Sequence, residues 1–224
     1  IYIFQITCRA ENTISVFLNA SSDLAPILIQ TQPINGPWMI AMAPNGSGNS
    51  SRALVTSGFS NPDGVFVTVY NLDVLGNMIF STTLQMDDQI FADRIAITPD
   101  GNFAYVTTRN GVTVIQGAFS GTPSILMHIP LSSLNGASSI TITPDGKYCY
   151  IGTQSPETKI FVIKNASSGA PSLLGEFSIS TFSFGLAVTP NGEFLYISNT
   201  GSNFITIMSN ASSGNPVFLE NITV

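Results

Sequence analysis

Thr98-Pro99-Asp100-Gly101 returns as Thr143-Pro144-Asp145-Gly146 and again as Thr189-Pro190-Asn191-Gly192, with a degenerate copy at Ala43-Pro44-Asn45-Gly46. From proline to proline the steps are 55, 45 and 46 residues. A second marker keeps the same step. Asn165-Ala166-Ser167-Ser168-Gly169 recurs 45 residues on as Asn210-Ala211-Ser212-Ser213-Gly214, and Asn19-Ala20-Ser21-Ser22 is an earlier copy. A fixed period of this length marks a unit that cannot bury its own apolar faces and is completed by its neighbours.

Each period reads as four strands. A short apolar run precedes the Pro-Asp/Asn-Gly turn (95–97, 140–142 and 186–188), and a second follows it (103–107, 148–152 and 194–198). A third lies at 112–115, 159–163 and 204–208, and a fourth at 124–129, 172–177 and 216–222. Proline presets φ near −65° and the following Asn-Gly or Asp-Gly supplies positive φ, so antiparallel neighbours reverse tightly there. Four strands in about 45 residues, repeated radially, predict an all-β fold, a β-propeller of four-stranded antiparallel blades with about five blades in this chain. The expected layout is a single propeller domain over 1–224. It holds a partial blade at 1–33 with only the second to fourth strands, then blades at about 34–90, 91–136, 137–182 and 183–224. Either a five-bladed ring closes with a short blade, or the chain is a piece of a longer propeller; the second is the expectation, because an open ring leaves unpaired faces.

Composition agrees. Only 9% of the 224 residues are charged, against about 25% in ordinary globular domains. Apolar residues make up 44%, which excludes disorder. No apolar run approaches the roughly 18 residues of a membrane span. The net charge of −6 argues against nucleic-acid partners, which are held mainly through Lys and Arg on phosphates. Uncharged polarity fills the gap: 48 Ser and Thr and 18 Asn, beside 19 Gly and 13 Pro, a set suited to many tight turns. Six Asn-x-Ser/Thr triplets, at Asn19, Asn45, Asn49, Asn165, Asn210 and Asn221, exceed chance only slightly, and glycosylation is not implied.

Residues able to do chemistry are few. His128 is the sole histidine and falls in a fourth, outermost strand, so no histidine relay or two-histidine metal site can form. Cys8 and Cys149 fall in non-adjacent units and read as two separate thiols. No metal or cofactor is expected, and no catalytic residue is assigned. Ligands on propellers usually meet the central channel mouth, lined by the segments that lead into first strands: 36–39, 91–94, 136–139 and 183–185. These offer Trp38, Asp93, Arg94, Ser139 and Phe184 as candidate ligand-binding residues. Asp87, Asp88, Asp93 and Arg94 form the densest charge in the chain: an anchor for a polar ligand, or a solvated loop whose neighbouring ion pair is worth under about 1 kcal/mol. Trp38, the sole tryptophan, reads as a stacking platform or as packing between blades.

Tyr105-Val106-Thr107-Thr108, Tyr150-Ile151-Gly152-Thr153 and Tyr196-Ile197-Ser198-Asn199 resemble the Tyr-Val-Thr-Asn motif of YVTN-type β-propeller repeats. Asn12-Thr13-Ile14-Ser15-Val16 is similar to that family's third-strand motif, and 186–192 to its Ile-Ala-Val-Thr-Pro-Asp-Gly. The second unit departs from it through a polar insertion at 45–51 and a wider turn at Asn61-Pro62-Asp63-Gly64. The resemblance implies an extracellular, cell-surface or periplasmic protein, with relatives among lactonase-like propellers that include sugar-lactone hydrolases. Their mouth segment resembles Gly-Pro-Arg-His; Gly36 and Pro37 match it, and Trp38 and Met39 stand in place of the Arg-His pair. The expected function is therefore a non-catalytic binding scaffold with a protein or glycan partner. The alternatives are a lactonase-like hydrolase of a sugar lactone, and a structural surface-layer subunit. Few lysines guard the fourth strands, which leaves self-association open.

Overall fold

The computed structural model describes residues 3–8, 12–18, 27–44, 50–57, 65–86, 92–131, 136–153, 158–181 and 183–224. Its strands form five antiparallel sheets, each a meander in which chain neighbours pair. The first sheet holds β1 (Ile3–Cys8), β2 (Thr13–Leu18) and β3 (Ile27–Pro33). The second holds β4 (Pro37–Pro44), β5 (Ser50–Ser57), β6 (Phe66–Leu72) and β7 (Met78–Gln85). The third is β8 (Ile95–Ile97), β9 (Phe103–Thr108), β10 (Gly111–Gln116) and β11 (Ser124–Pro130). The fourth is β12 (Ala137–Ile142), β13 (Tyr148–Thr153), β14 (Lys159–Lys164) and β15 (Ser172–Ser178). The fifth is β16 (Ser183–Val188), β17 (Phe194–Asn199), β18 (Phe204–Ser209) and β19 (Val217–Thr223). Successive inner strands β4, β8, β12 and β16 adjoin one another, and β1 adjoins β4. This is the expected propeller of about five blades, with a three-stranded sheet at its start. The Asn19 to Ser22 copy, the wide turn at Asn61 to Gly64, most of the 45–51 insertion, and Asp87 and Asp88 lie outside the described residues.

The recurring turn has a side-chain reason. The Thr98 hydroxyl accepts from the Phe103 amide at 3.0 Å and donates to the Asp100 carboxylate at 2.5 Å. The carboxylate in turn accepts from the Asn102 amide at 3.1 Å. Thr143 with Asp145, and Thr189 with Asn191, repeat the arrangement. Gly101, Gly146 and Gly192 take φ of 75°, 69° and 72°, a region open to glycine at little steric cost. The Asn-Ala-Ser-Ser turn folds back on this one. Asn165 and Asn210 both adopt φ 60°, and the Ala166 and Ala211 amides donate to Lys147 and Glu193 carbonyls at 3.1 Å.

The core lies in the seams between sheets. Ile14 and Val16 pack with Ala53, Val55 and Tyr70 between the first and second sheets. Leu54, Val67 and Val69 meet Ala104, Val106 and Ile115 between the second and third. Tyr105, Val112 and Val114 meet Cys149, Ile151 and Ile163 in the next seam, and Tyr150, Ile160 and Val162 meet Leu195, Ile197 and Met208 in the last. Each sheet thus presents a leading face to the trailing face of its successor.

Two of these seams are pinned by one hydrogen bond. The Tyr105 hydroxyl donates to the Ala166 carbonyl at 2.7 Å, and Tyr150 to Ala211 at 2.5 Å, each reaching 61 residues ahead into the next sheet's Asn-Ala-Ser-Ser turn. Leu54 holds the tyrosine position in the second sheet. There Arg52 takes over, its Nη1 and Nη2 donating to the Gly117 and Gly121 carbonyls at 2.9 and 2.8 Å. Cys149 is a free, buried thiol whose burial pushes its pKa up. No helix among the described residues is long and apolar enough to cross a membrane.

Candidate functional site

The innermost strands begin with an irregularity that the sequence pattern does not show. Register shifts fall between Pro37 and Met39 in β4, Ala137 and Ser139 in β12, and Ser183 and Gly185 in β16. Ahead of β8, the Asp93 amide donates to the Thr107 carbonyl while the Thr107 amide donates to the Arg94 carbonyl, both at 2.9 Å. One extra residue is therefore inserted at the same end of each inner strand. A bulge of this kind leaves a residue unpaired and re-aims its side chain. The bulged residues are Trp38, Asp93, Ser138 and Phe184. Segments 136–139 and 183–185, expected as loops, are mostly strand on the far side of a bulge.

Three of the four bulges are braced by a second-strand hydroxyl; in the fourth sheet that position is Gly152. Thr56 and Thr107 hydroxyls accept from the Met39 and Arg94 amides at 3.1 and 2.9 Å. The Ser198 hydroxyl donates to the Gly185 carbonyl at 3.4 Å. Thr107 and Ser198 are the third residues of Tyr-Val-Thr-Asn-like stretches, and Thr56 holds the same place in Leu54-Val55-Thr56-Ser57. The fourth residues tie the next hairpin: Thr108 donates to the Gly111 carbonyl, Thr153 to the Lys159 carbonyl, and the Asn199 amide to the Phe204 carbonyl.

Trp38, Asp93 and Arg94 come together across the second and third sheets. The Trp38 indole donates to the Asp93 carboxylate, and Arg94 Nε lies 3.8 Å from Asp93 Oδ1. Arg94 Nη1 sits 3.6 Å from Met39 Sδ. The side chains of Arg94 and Asp93 are only 21% and 12% exposed. Burial pushes the Asp93 pKa above the ordinary carboxylate range, partly offset by Arg94 and by the indole. Arg94 Nε is buried without a hydrogen-bond acceptor among the described residues. The cluster is thus a partly desolvated carboxylate–guanidinium pair with an aromatic ring beside it and spare donor capacity.

Ser139 and Phe184 are placed differently. The Ser139 hydroxyl is buried without a hydrogen-bond partner among the described residues. It faces Gly152 together with Ser183, in the seam between the fourth and fifth sheets, where a Cβ on Gly152 would overlap both hydroxyls. Phe184 is 67% exposed. The bulged residue of the fourth sheet is Ser138, whose hydroxyl donates to the Thr153 carbonyl at 3.2 Å and pairs with the Ser183 hydroxyl at 3.1 Å. Phe184 stands 46 residues after Ser138, the same step as from Pro144 to Pro190, and that spacing was the available signal for Ser138. His128 is exposed on the outermost strand β11, its Nδ1 3.3 Å from the Thr113 hydroxyl.

No family model matches the chain, so the likeness to YVTN-type repeats stands on its motif residues. No curated protein matches either. Solved structures do. A protein of unknown function from Desulfotomaculum acetoxidans is 17% identical, with a TM-score of 0.79 over 98% of this chain and 66% of its own. A candidate 6-phosphogluconolactonase from Bacteroides fragilis is 18% identical, with a TM-score of 0.75 over 95% of this chain and 65% of its own. The periplasmic gluconolactonase of Pseudomonas aeruginosa is 17% identical, with a TM-score of 0.69 over 95% of this chain and 64% of its own. At these identities the likeness is one of fold, and the fold is the β-propeller found in lactonase-like proteins. The chain spans just under two thirds of the length of these structures.

Proposed function

We propose that the Trp38–Asp93–Arg94 cluster is the polar wall of a small-molecule site that opens a lactone of a sugar acid by adding water. The observation that carries this reading is the desolvated Asp93 carboxylate held between an indole and a guanidinium at a bulge on the mouth side of the inner strands. Asp93 takes a proton from water as the water oxygen bonds the lactone carbonyl carbon. The charge that gathers on the carbonyl oxygen is met by the Arg94 guanidinium, whose Nε has no hydrogen-bond acceptor among the described residues. The ring C–O bond then breaks, the proton passes from Asp93 to the departing alkoxide, and a hydroxy acid is left. Trp38 keeps the carboxylate oriented and offers its face to the sugar ring.

The lactonase names among the structural neighbours support this reading over a bare scaffold. So does the geometry of the cluster: a half-buried carboxylate beside a guanidinium and an indole is a means of moving a proton. A location outside the cytoplasm, the periplasm included, is in keeping with the 9% charge and the hydroxyl-rich turns. The test is turnover of a panel of aldonolactones by the purified chain and by Arg94→Ala and Asp93→Asn. Hydrolysis above the uncatalysed rate, falling at least 100-fold in each variant, is the expected result. A rate equal to that of buffer, or variants as active as the parent, contradicts the reading. A second reading, a binding scaffold for a protein or glycan, is favoured by the apolar outer strand β19, where Val217, Phe218 and Leu219 are all at least half exposed.

A further inference from the structure

A bulge sets two amides against one carbonyl, and the second amide must find another acceptor. Ahead of β8 the Thr107 carbonyl takes the Asp93 amide at 2.9 Å, and the neighbouring Arg94 amide goes to the Thr107 hydroxyl, also at 2.9 Å. The same residue holds the Arg94 carbonyl, which accepts from the Thr107 amide at 2.9 Å and lies 3.4 Å from its hydroxyl. One residue, 0% exposed, thus closes the backbone around both members of the Asp93–Arg94 pair. Threonine suits the place twice. Its branched Cβ fits a strand, and its hydroxyl both accepts and donates.

Thr56, also 0% exposed, repeats this in the second sheet. Its hydroxyl accepts from the Met39 amide at 3.1 Å and lies 3.4 Å from the Met39 carbonyl. The bulged residues of these two sheets, Trp38 and Asp93, are the two that meet across their seam. Both sheets have described neighbours on either side. The fourth sheet offers a contrast within the same chain. Gly152 holds the place of Thr107 there, and the bulged Ser138 is 5% exposed, its hydroxyl turned back to the Thr153 carbonyl and the Ser183 hydroxyl. Where the second strand lacks a hydroxyl, the bulged side chain folds into a seam.

We infer that Thr107, and Thr56 with it, are positioning residues of the candidate site: the hydroxyl third in the repeated stretch fixes the bulge that aims Asp93 and Arg94, or Trp38, at one another. Without the Thr107 hydroxyl the Arg94 amide competes with that of Asp93 for a single carbonyl, and the two side chains leave their shared geometry. The kinetic consequence rests on the lactone-opening reading of the cluster, whereas the aim of the side chains does not. A displacement of about 1 Å at reacting groups costs about 100-fold in rate.

The sole tryptophan donates to the Asp93 carboxylate, so its emission follows the ionisation of Asp93 with no substrate present. The charged group facing that carboxylate among the described residues is Arg94. A pH titration of Trp38 emission in the full chain should show a step above the ordinary carboxylate range, lost in Asp93→Asn. Thr107→Val should move its midpoint down toward that range as water reaches the carboxylate, and Thr107→Ser should keep the parent midpoint. Thr108→Val removes the neighbouring buried hydroxyl, which donates to the Gly111 carbonyl at 3.3 Å, and should leave the midpoint in place. If Thr107→Val does not fold, Thr56→Val decides: Trp38 emission moves to longer wavelength, and Thr56→Ser restores it. On an aldonolactone, Thr107→Val should lower kcat about 10- to 100-fold with KM within about threefold of the parent. A parent without the step overturns the inference, and so does a midpoint unchanged in Thr107→Val or equally moved in Thr108→Val. Emission unchanged in Thr56→Val overturns it too. A parent that turns over no lactone contradicts the lactonase reading alone, and the titration still decides this one.

Discussion

Asp93 is the residue whose surroundings most clearly differ from what a surface turn would impose. Burial raises its pKa above 3.8 in the folded chain. The associated stability is therefore present at acid pH below that value and is lost as pH rises through the raised one. Asp93→Asn keeps an acceptor for the Trp38 indole and removes the titration. Urea denaturation at acidic and at neutral pH should show the parent losing stability relative to Asp93→Asn on going to neutral pH. An unchanged difference between the two would contradict this. If Asp93 is the general base, hydrolysis rises with pH through the same raised value, and that limb disappears in the variant. Asp145 behaves oppositely. Its burial acts upward, yet the Thr143 hydroxyl and Lys147 outweigh it and hold the carboxyl below its ordinary range. Gly152 is a second informative position: Gly152→Ala drives a methyl into the Ser183 and Ser139 hydroxyls, costing about 1–3 kcal/mol in a denaturation midpoint series.

At the scale of the element, the recurring turn admits a graded test. Gly146, Gly192 and Gly201 all have positive φ, so alanine at each incurs about 1 kcal/mol of backbone strain. Gly146→Ala and Gly192→Ala also press Cβ onto Ser167 and Ser212, whereas nothing lies within 4 Å of a Cβ at Gly201. Thermal melts should rank the first two as the more damaging; equal shifts in all three would count against the packed turn. The strands themselves were legible because β9, β10, β13, β14, β17 and β18 lie within a residue of their sequence-based bounds. The inner strands were legible only in part. A bulge adds one residue without changing composition, so nothing within 136–139 separated the bulged Ser138 from Ser139. Trp38, Asp93 and Arg94 were legible because residue type, rather than register, distinguished them. That the tyrosine of the repeated motif bonds to the following sheet could not be read from one strand, since its acceptor is a main-chain carbonyl 61 residues away.

For the molecule as a whole, low charge and a core divided among seams are two aspects of one arrangement. Sheets apolar on both faces leave few positions where a charge meets water, in keeping with the 9% of charged residues. The central claim is that the repeat specifies sheets sealed face to face, with tyrosine hydroxyls pinning two of the seams and Tyr196, 37% exposed, making no such bond among the described residues. Equilibrium urea denaturation of Tyr105→Phe, Tyr150→Phe and Tyr196→Phe tests it most directly. The first two substitutions strand a buried carbonyl and should each cost about 1–2 kcal/mol; the third should stay within about 0.5 kcal/mol of the parent. Equal losses at all three positions, or the largest loss at Tyr196, would contradict the account.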